Sequence, residues 1–230
     1  MTDFTGSHVV VTGGTGGLGG AVVARLLEGG ATCHLPMMEA APPAHVPWRG
    51  HERARPAPSV VLSDEAAVTA FYAALPPIAA SIHLVGGFAM APLVDTSLAA
   101  FEAQHQINTV TCFLCCREAV RAMRGRGGRI VNVATRSAVQ PPPGQIAYVT
   151  AKAAVVGLTQ AIAAEVKADD ILVNAVLPSI IDTPANRAAM PDADHAAWPK
   201  AAQIADAIAW LASPGNALTS GALVPVYGRG

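Results

Sequence analysis

A chain of 230 residues, 52% hydrophobic and 13% charged, is large enough and apolar enough to bury a sizeable core within one α/β domain spanning residues 1–230. The formal net charge of −1, with no lysine/arginine run, argues against nucleic acid as a partner. No uninterrupted apolar run reaches the ~18–20 residues of a membrane span, and Met1–Gly6 lacks a charged-then-apolar leader pattern, so a cytoplasmic protein with no membrane partner is the expectation.

His8-Val9-Val10-Val11-Thr12 is a β-branched run bounded by glycines and predicts a buried first strand. It runs into Gly13-Gly14-Thr15-Gly16-Gly17-Leu18-Gly19-Gly20 and then a helical pattern from Ala21 to Leu27. Strand, glycine-rich turn and helix in that order make a phosphate cradle, because glycine lets the backbone approach a pyrophosphate while the helix start offers unpaired N–H groups. Ala31 to Leu35 predicts a second strand, with Met37 standing where an acid would meet the ribose hydroxyls of NAD. Six prolines between Pro36 and Pro58 exclude a regular crossover helix, leaving an irregular loop. Its arginines read either as solvated charges or as a contact for a 2′-phosphate, so the choice between NAD and NADP stays open.

Val60-Val61-Leu62 predicts a third strand, and Ser63-Asp64-Glu65 caps a helix to Leu75. Ser81 to Val85 predicts a fourth strand, followed by Gly86-Gly87-Phe88 at the end where ligands of open parallel sheets bind. One long helix is expected from about Ser97 to Met123, carrying Asn108 and Cys112, Cys115 and Cys116. Structural zinc usually needs two cysteine pairs, so this C-x-x-C-C run reads as buried thiols in a helix–helix contact, with no metal expected. A fifth strand follows at Arg129 to Ala134, then a loop from Thr135 to Gln145. A sixth strand is expected at Ile171 to Leu177, a loop or lid over residues 178–200, a helix at Ala201 to Leu211 and a last strand at Ala222 to Val226. Strands alternating with helices predict a doubly wound parallel sheet of about seven strands, a Rossmann-type α/β fold with helices on both faces.

Between the fifth and sixth strands lies Tyr148-Val149-Thr150-Ala151-Lys152, opening an apolar helix that continues to Val166. A tyrosine and a lysine four apart share a helix face. An ammonium beside a phenol favours the phenolate, so Lys152 is expected to pull Tyr148 below the ordinary value of about 10 and make it a proton donor or acceptor.

The ordered set Thr12-Gly13-x-x-x-Gly17-x-Gly19, Asn108, Gly128-Arg129-Ile130-Val131-Asn132-Val133, Tyr148-x-x-x-Lys152 and Asn174-x-x-x-Pro178 resembles the short-chain dehydrogenase/reductase family along nearly the whole chain. That resemblance implies an oxidoreductase moving hydride between NAD or NADP and a carbonyl/alcohol substrate. Tyr148 would be its general acid/base, Lys152 the group that holds the nicotinamide ribose, and Asn108 the anchor of a water linked to Lys152. The family serine falls on Thr135, thirteen residues before the tyrosine, whose hydroxyl can still donate to the substrate oxygen. The cofactor would meet Gly13, Thr15, Gly16, Gly17, Leu18, Gly19, Met37, Leu62, Gly86, Gly87, Tyr148, Lys152, Pro178, Ile181 and Thr183. The family also pairs its long helices between subunits, implying a homo-oligomer, tetramer or dimer.

A narrower likeness is to dihydropteridine reductase, in Gly86-Gly87-Phe88, in the missing crossover helix and in Asp182-Thr183-Pro184-x-Asn186-Arg187-x-x-Met190-Pro191-x-Ala193-Asp194 with Trp198. It leaves two alternatives to a carbonyl/alcohol enzyme, a dihydropteridine-type reductase and a nucleotide-binding protein with little turnover.

Overall fold

A computed structural model describes residues 2–229. Seven strands form one parallel sheet: β1 (His8–Thr12), β2 (Thr32–Pro36), β3 (Ala54–Ala57), β4 (Ala80–His83), β5 (Gly128–Val133), β6 (Ile171–Pro178) and β7 (Leu223–Val226), in the spatial order β3-β2-β1-β4-β5-β6-β7. The strand order reverses between β1 and β4, which opens a crevice at their carboxyl ends. This is the doubly wound Rossmann-type fold read from the sequence.

Side chains alternate across each strand, and the alternation sorts the core into two layers. Val9 and Val11 of β1, Ile82 of β4 and Val131 and Val133 of β5 pack under α1 (Gly17–Glu28) and α7 (Ala201–Ala212). Val10, Ile130 and Val173 face the other way, beneath α2 (Glu65–Ala73), α4 (Thr111–Met123) and α5 (Ile146–Glu165).

Three expectations need correction. The third strand is Ala54–Ala57 and not 60–62: Cys33 to Pro36 pair with Ala54 to Ala57, and Val60 to Leu62 turn away, with Val60 N donating to Met37 O at 2.9 Å. An edge strand tolerates Pro56 because its outer N–H groups face no partner, so the prolines that exclude a crossover helix still leave room for a strand at the sheet's edge. The long helix divides into α3 (Leu98–His105), a π-turn at Gln106–Val110 and α4, with Ser97 Oγ capping α3 through Ala100 N at 3.1 Å. The cysteines do not all meet a helix: Cys115 lies against Tyr72 of α2, while Cys112 and Cys116 lie beside His83 of β4.

The proline-rich stretch after β2 is irregular, as expected, but it folds back on the glycine turn. Trp48 is buried and its indole Nε1 donates to Gly14 O at 2.8 Å, while His45 Nε2 lies 3.2 Å from Thr15 O. Arg53 reaches instead to Leu27 O at 3.0 Å, at the far end of α1. Helix α5 has the length and mean hydropathy, 1.4, of a membrane span. Its place is set by the sheet, because it is the crossover between the adjacent parallel strands β5 and β6.

Candidate active site

The glycine turn joins β1 to α1, with Gly13 at φ +70°. A Cβ on Gly19 would lie 1.9 Å from Gly13 O, so only glycine lets the helix start this close to the turn. Helix α1 has Gly16 as N-cap, with no side-chain cap and no acid in its first turn. Its first i→i−4 bond runs from Gly20 N to Gly16 O at 2.8 Å, so the N–H groups of the preceding residues have no intrahelical partner. This end of the crevice is built for an anion of pyrophosphate type.

Residues of the segment after β6 close over the same turn. Thr183 caps α6 (Pro184–Ala189) through Asn186 N at 3.2 Å, and a Cβ on Gly17 would sit 3.0 Å from the Thr183 methyl. Ile181 O accepts from Asn186 Nδ2 at 2.8 Å, and Pro178 is buried at the end of β6. Asp182 is bound by Arg187, at 2.5 and 3.0 Å, and by Lys200, and these cations hold its carboxyl well below the usual range. At the other end of the lid Trp198 is buried, its ring 4.6 Å from that of His195.

At the carboxyl ends of β4 and β5 the proton-handling residues come together. Asn108 sits in the π-turn, buried, with Nδ2 donating to Gly87 O and Gln104 O at 3.0 Å each, and Oδ1 accepting from Gly87 N at 3.2 Å. A Cβ on Gly86 would lie 2.6 Å from Asn108 Oδ1 and 3.0 Å from Lys152 Nζ, so glycine there lets the β4 loop close onto both residues. Thr135 follows β5, is buried, lies beside the Tyr148 hydroxyl and accepts from Ser137 N at 3.3 Å. The Phe88 ring meets Tyr148 edge-on, centroids 4.9 Å apart, and is itself 58% exposed at the mouth of the site.

The electrostatics differ from the sequence expectation. Burial raises the Tyr148 phenol, and the neighbouring Thr135 hydroxyl draws it back. Lys152 is buried one turn along α5 and donates from Nζ to Val133 O at 2.8 Å, with desolvation bringing its ammonium down to about 8. One of the three ammonium donors is thus taken by the end of β5, and burial is the larger influence on the phenol.

Sequence reasoning put Leu62 and Met37 at the adenosine end. Both are buried in the core, Leu62 under α2 and Met37 beside Trp48 and Val46. It missed Trp48, which braces the turn; a lone tryptophan among prolines was the available signal.

A model of short chain dehydrogenases matches residues 7–194. The chain belongs to the short-chain dehydrogenase family. It is 35% identical over 200 residues, 83% of this chain and 78% of the relative, to a 2,5-dichloro-2,5-cyclohexadiene-1,4-diol dehydrogenase of Sphingobium indicum. A solved short chain dehydrogenase/reductase family protein superposes with a TM-score of 0.89 at 30% identity, over 98% of this chain and 97% of its own. A blue fluorescent protein from a metagenomic library, solved in complex with NADPH, does so at 0.85 and 27%, over 99% and 98%. As a short-chain dehydrogenase the protein is an oxidoreductase, a hydride-transfer enzyme.

Proposed function

We propose that this short-chain dehydrogenase uses NAD or NADP to interconvert a small carbonyl compound and its alcohol, with Tyr148 as general acid/base. The observation that carries the reading is the meeting of Tyr148, Thr135, Lys152 and Asn108 at one end of a crevice whose other end is the uncapped start of α1.

The residues fit the dinucleotide. The first-turn N–H groups of α1, with Gly13, Thr15, Gly16, Gly17, Leu18 and Gly19, would hold the pyrophosphate, and Ile181 and Thr183 would close over it. When bound, the nicotinamide supplies or accepts the hydride. The protein's own part is proton transfer: in reduction the Tyr148 hydroxyl donates to the substrate oxygen as charge builds there, and the Thr135 hydroxyl steadies that oxygen. Lys152 and Asn108, fixed by Val133 O and by Gly87 and Gln104, form the path by which Tyr148 regains its proton.

The segment whose sequence resembles dihydropteridine reductase would act as a cofactor lid. Its Thr183 and Asn186 spend their polar groups on the lid's own turn, and its Asp182 on Arg187 and Lys200. Four buried cysteines, all free, suit a reducing cytoplasmic compartment.

The test is Tyr148→Phe, assayed by NADH and NADPH oxidation against small diketones and quinonoid dihydropterin. We expect dinucleotide binding to persist and turnover on a carbonyl substrate to fall by about 100-fold or more. Full activity in the variant would discard the mechanism, and cofactor binding with no turnover by the wild type on any substrate would favour a binding protein.

A further inference from the structure

The face of the sheet beneath α4 carries a polar wedge inside an otherwise apolar layer. Ser81 and His83 of β4 and Asn132 of β5 point the same way by strand alternation, with His83 and Asn132 paired in register. All three are buried, as is Thr159 of α5. Above them α4 presents Cys112 and Cys116, one turn apart on the same helix face and also buried.

The orientations within this wedge are fixed from outside. Tyr72 OH contacts Ser81 Oγ at 2.8 Å, and Ser81 Oγ contacts His83 Nε2 at 2.9 Å. These hold the imidazole by its far nitrogen and aim Nδ1 at the thiols. Asn132 Nδ2 donates to Thr159 Oγ1 at 2.9 Å, which turns Oδ1 towards the same point. As a result His83 Nδ1 lies 3.4 Å from Cys116 Sγ, Asn132 Oδ1 lies 3.4 Å from Cys116 Sγ and 2.8 Å from His83 Nδ1, and the His83, Cys112 and Cys116 ligand atoms all fall within 4.8 Å of one another. Lone pairs converging at such spacings need protons or a cation between them. A tetrahedral ion bound at about 2.3 Å from sulfur and about 2.0 Å from nitrogen puts a sulfur and a nitrogen ligand about 3.5 Å apart, near the 3.4 Å from His83 Nδ1 to Cys116 Sγ; the 2.8 Å from Nδ1 to Asn132 Oδ1 is a hydrogen-bond spacing that would open by about 0.5 Å with the ion in place of the proton.

We propose that His83 Nδ1 and the thiolates of Cys112 and Cys116 form a buried zinc site, with Asn132 Oδ1 beside them as the fourth donor. Soft sulfur and imidazole ligands select a thiophilic ion, and two thiolates neutralise a divalent one, which a buried site requires. Binding forms two Zn–S bonds and one Zn–N bond. Each thiol gives up its proton to solvent, and the imidazole proton resides on Nε2, donated to Ser81 Oγ in the outer-shell arrangement usual for metal-bound histidine. The ion would pin α4 to β4 and β5, just below the Val133 carbonyl that anchors Lys152. A closed site of this kind is loaded as the chain folds.

The test is metal content of the whole protein, expressed in zinc-supplemented medium and purified without chelator. Wild type and Cys115→Ser, whose thiol lies against Tyr72 instead, should retain close to one zinc per chain, while Cys116→Ser and His83→Asn should lose it. Growth in cobalt in place of zinc should give wild type the thiolate-to-cobalt charge-transfer absorption of a two-thiolate tetrahedral centre, a readout that needs no variant to fold. A metal-free wild type, zinc equally retained by all four proteins, or a cobalt protein without that absorption would overturn the site.

Discussion

At the scale of single residues, the Tyr148 ring lies edge-on against Phe88, one turn along α5 from Lys152. Tyr148 and Lys152 were paired by spacing alone, and the structure keeps them one turn apart on α5. Spacing could not show that Lys152 Nζ is bound by Val133 O, because that contact joins residues from two elements. Burial keeps the Tyr148 phenol protonated above its ordinary value of about 10. The acid form needed for reduction is therefore present throughout the neutral range, while the base form needed for alcohol oxidation grows as pH rises. We expect kcat/KM for oxidation to climb by up to about tenfold per pH unit through the neutral and mildly alkaline range, with reduction level and then falling. Because the Thr135 hydroxyl lowers the phenol, Thr135→Val should move the oxidation limb to higher pH. An oxidation profile flat with pH would show that another group moves the proton.

Among the elements, those whose burial is regular were legible and those defined by their neighbours were not. Strands β1 and β6 are near-continuous apolar or β-branched runs, as strands covered on both faces must be, and β4 and β5 keep enough of that pattern around Ser81, His83 and Asn132 to be read. Strand β3 is Ala-Arg-Pro-Ala at the sheet's edge, and only its pairing with β2 makes it a strand. The π-turn around Asn108 was equally hidden, since its extra residue per turn is held by Asn108 bonding Gly87 across the crevice. The loop between β2 and β3 looked irregular and is, yet Trp48 makes it a brace for the glycine turn. Trp48→Phe keeps an aromatic ring but removes the donor and part of the indole's volume, leaving Gly14 O unpaired in a buried place. We expect it to cost about 1–3 kcal/mol in urea unfolding and to raise the dinucleotide KM more than it lowers kcat. Unchanged stability and KM together would mean that the loop only covers the turn.

For the molecule as a whole, helix α5 has more apolar surface than its own sheet covers. Only 33% of its most apolar window is buried, and Ile146, Phe113, Ile107 and Leu98 on α5, α4, the π-turn and α3 are 39–71% exposed. A second copy of the chain is the partner we propose for this face, as the family resemblance implied. Sedimentation velocity should return a dimer or tetramer, and Ala153→Arg, on the exposed side of α5, should shift the population towards monomer. A wild type that sediments as a monomer at micromolar concentration would reject the proposal.

The sequence by itself determined the order of strands and helices, the glycine turn, the Tyr148–Lys152 spacing and the family, because these depend on local periodicity and on residues close together along the chain. Only the tertiary structure decided how Tyr148 and Lys152 are tuned, which short segment forms the sheet's edge, and that His83 of β4 reaches Cys112 and Cys116 of α4. Proton affinity is set by burial and by contacts made across the fold, and a ligand set shared between a strand and a helix has no spacing of its own to read. The pair that one helical turn identified owes its chemistry to groups that chain order keeps apart: Val133, Thr135, Gly86 and Asn108.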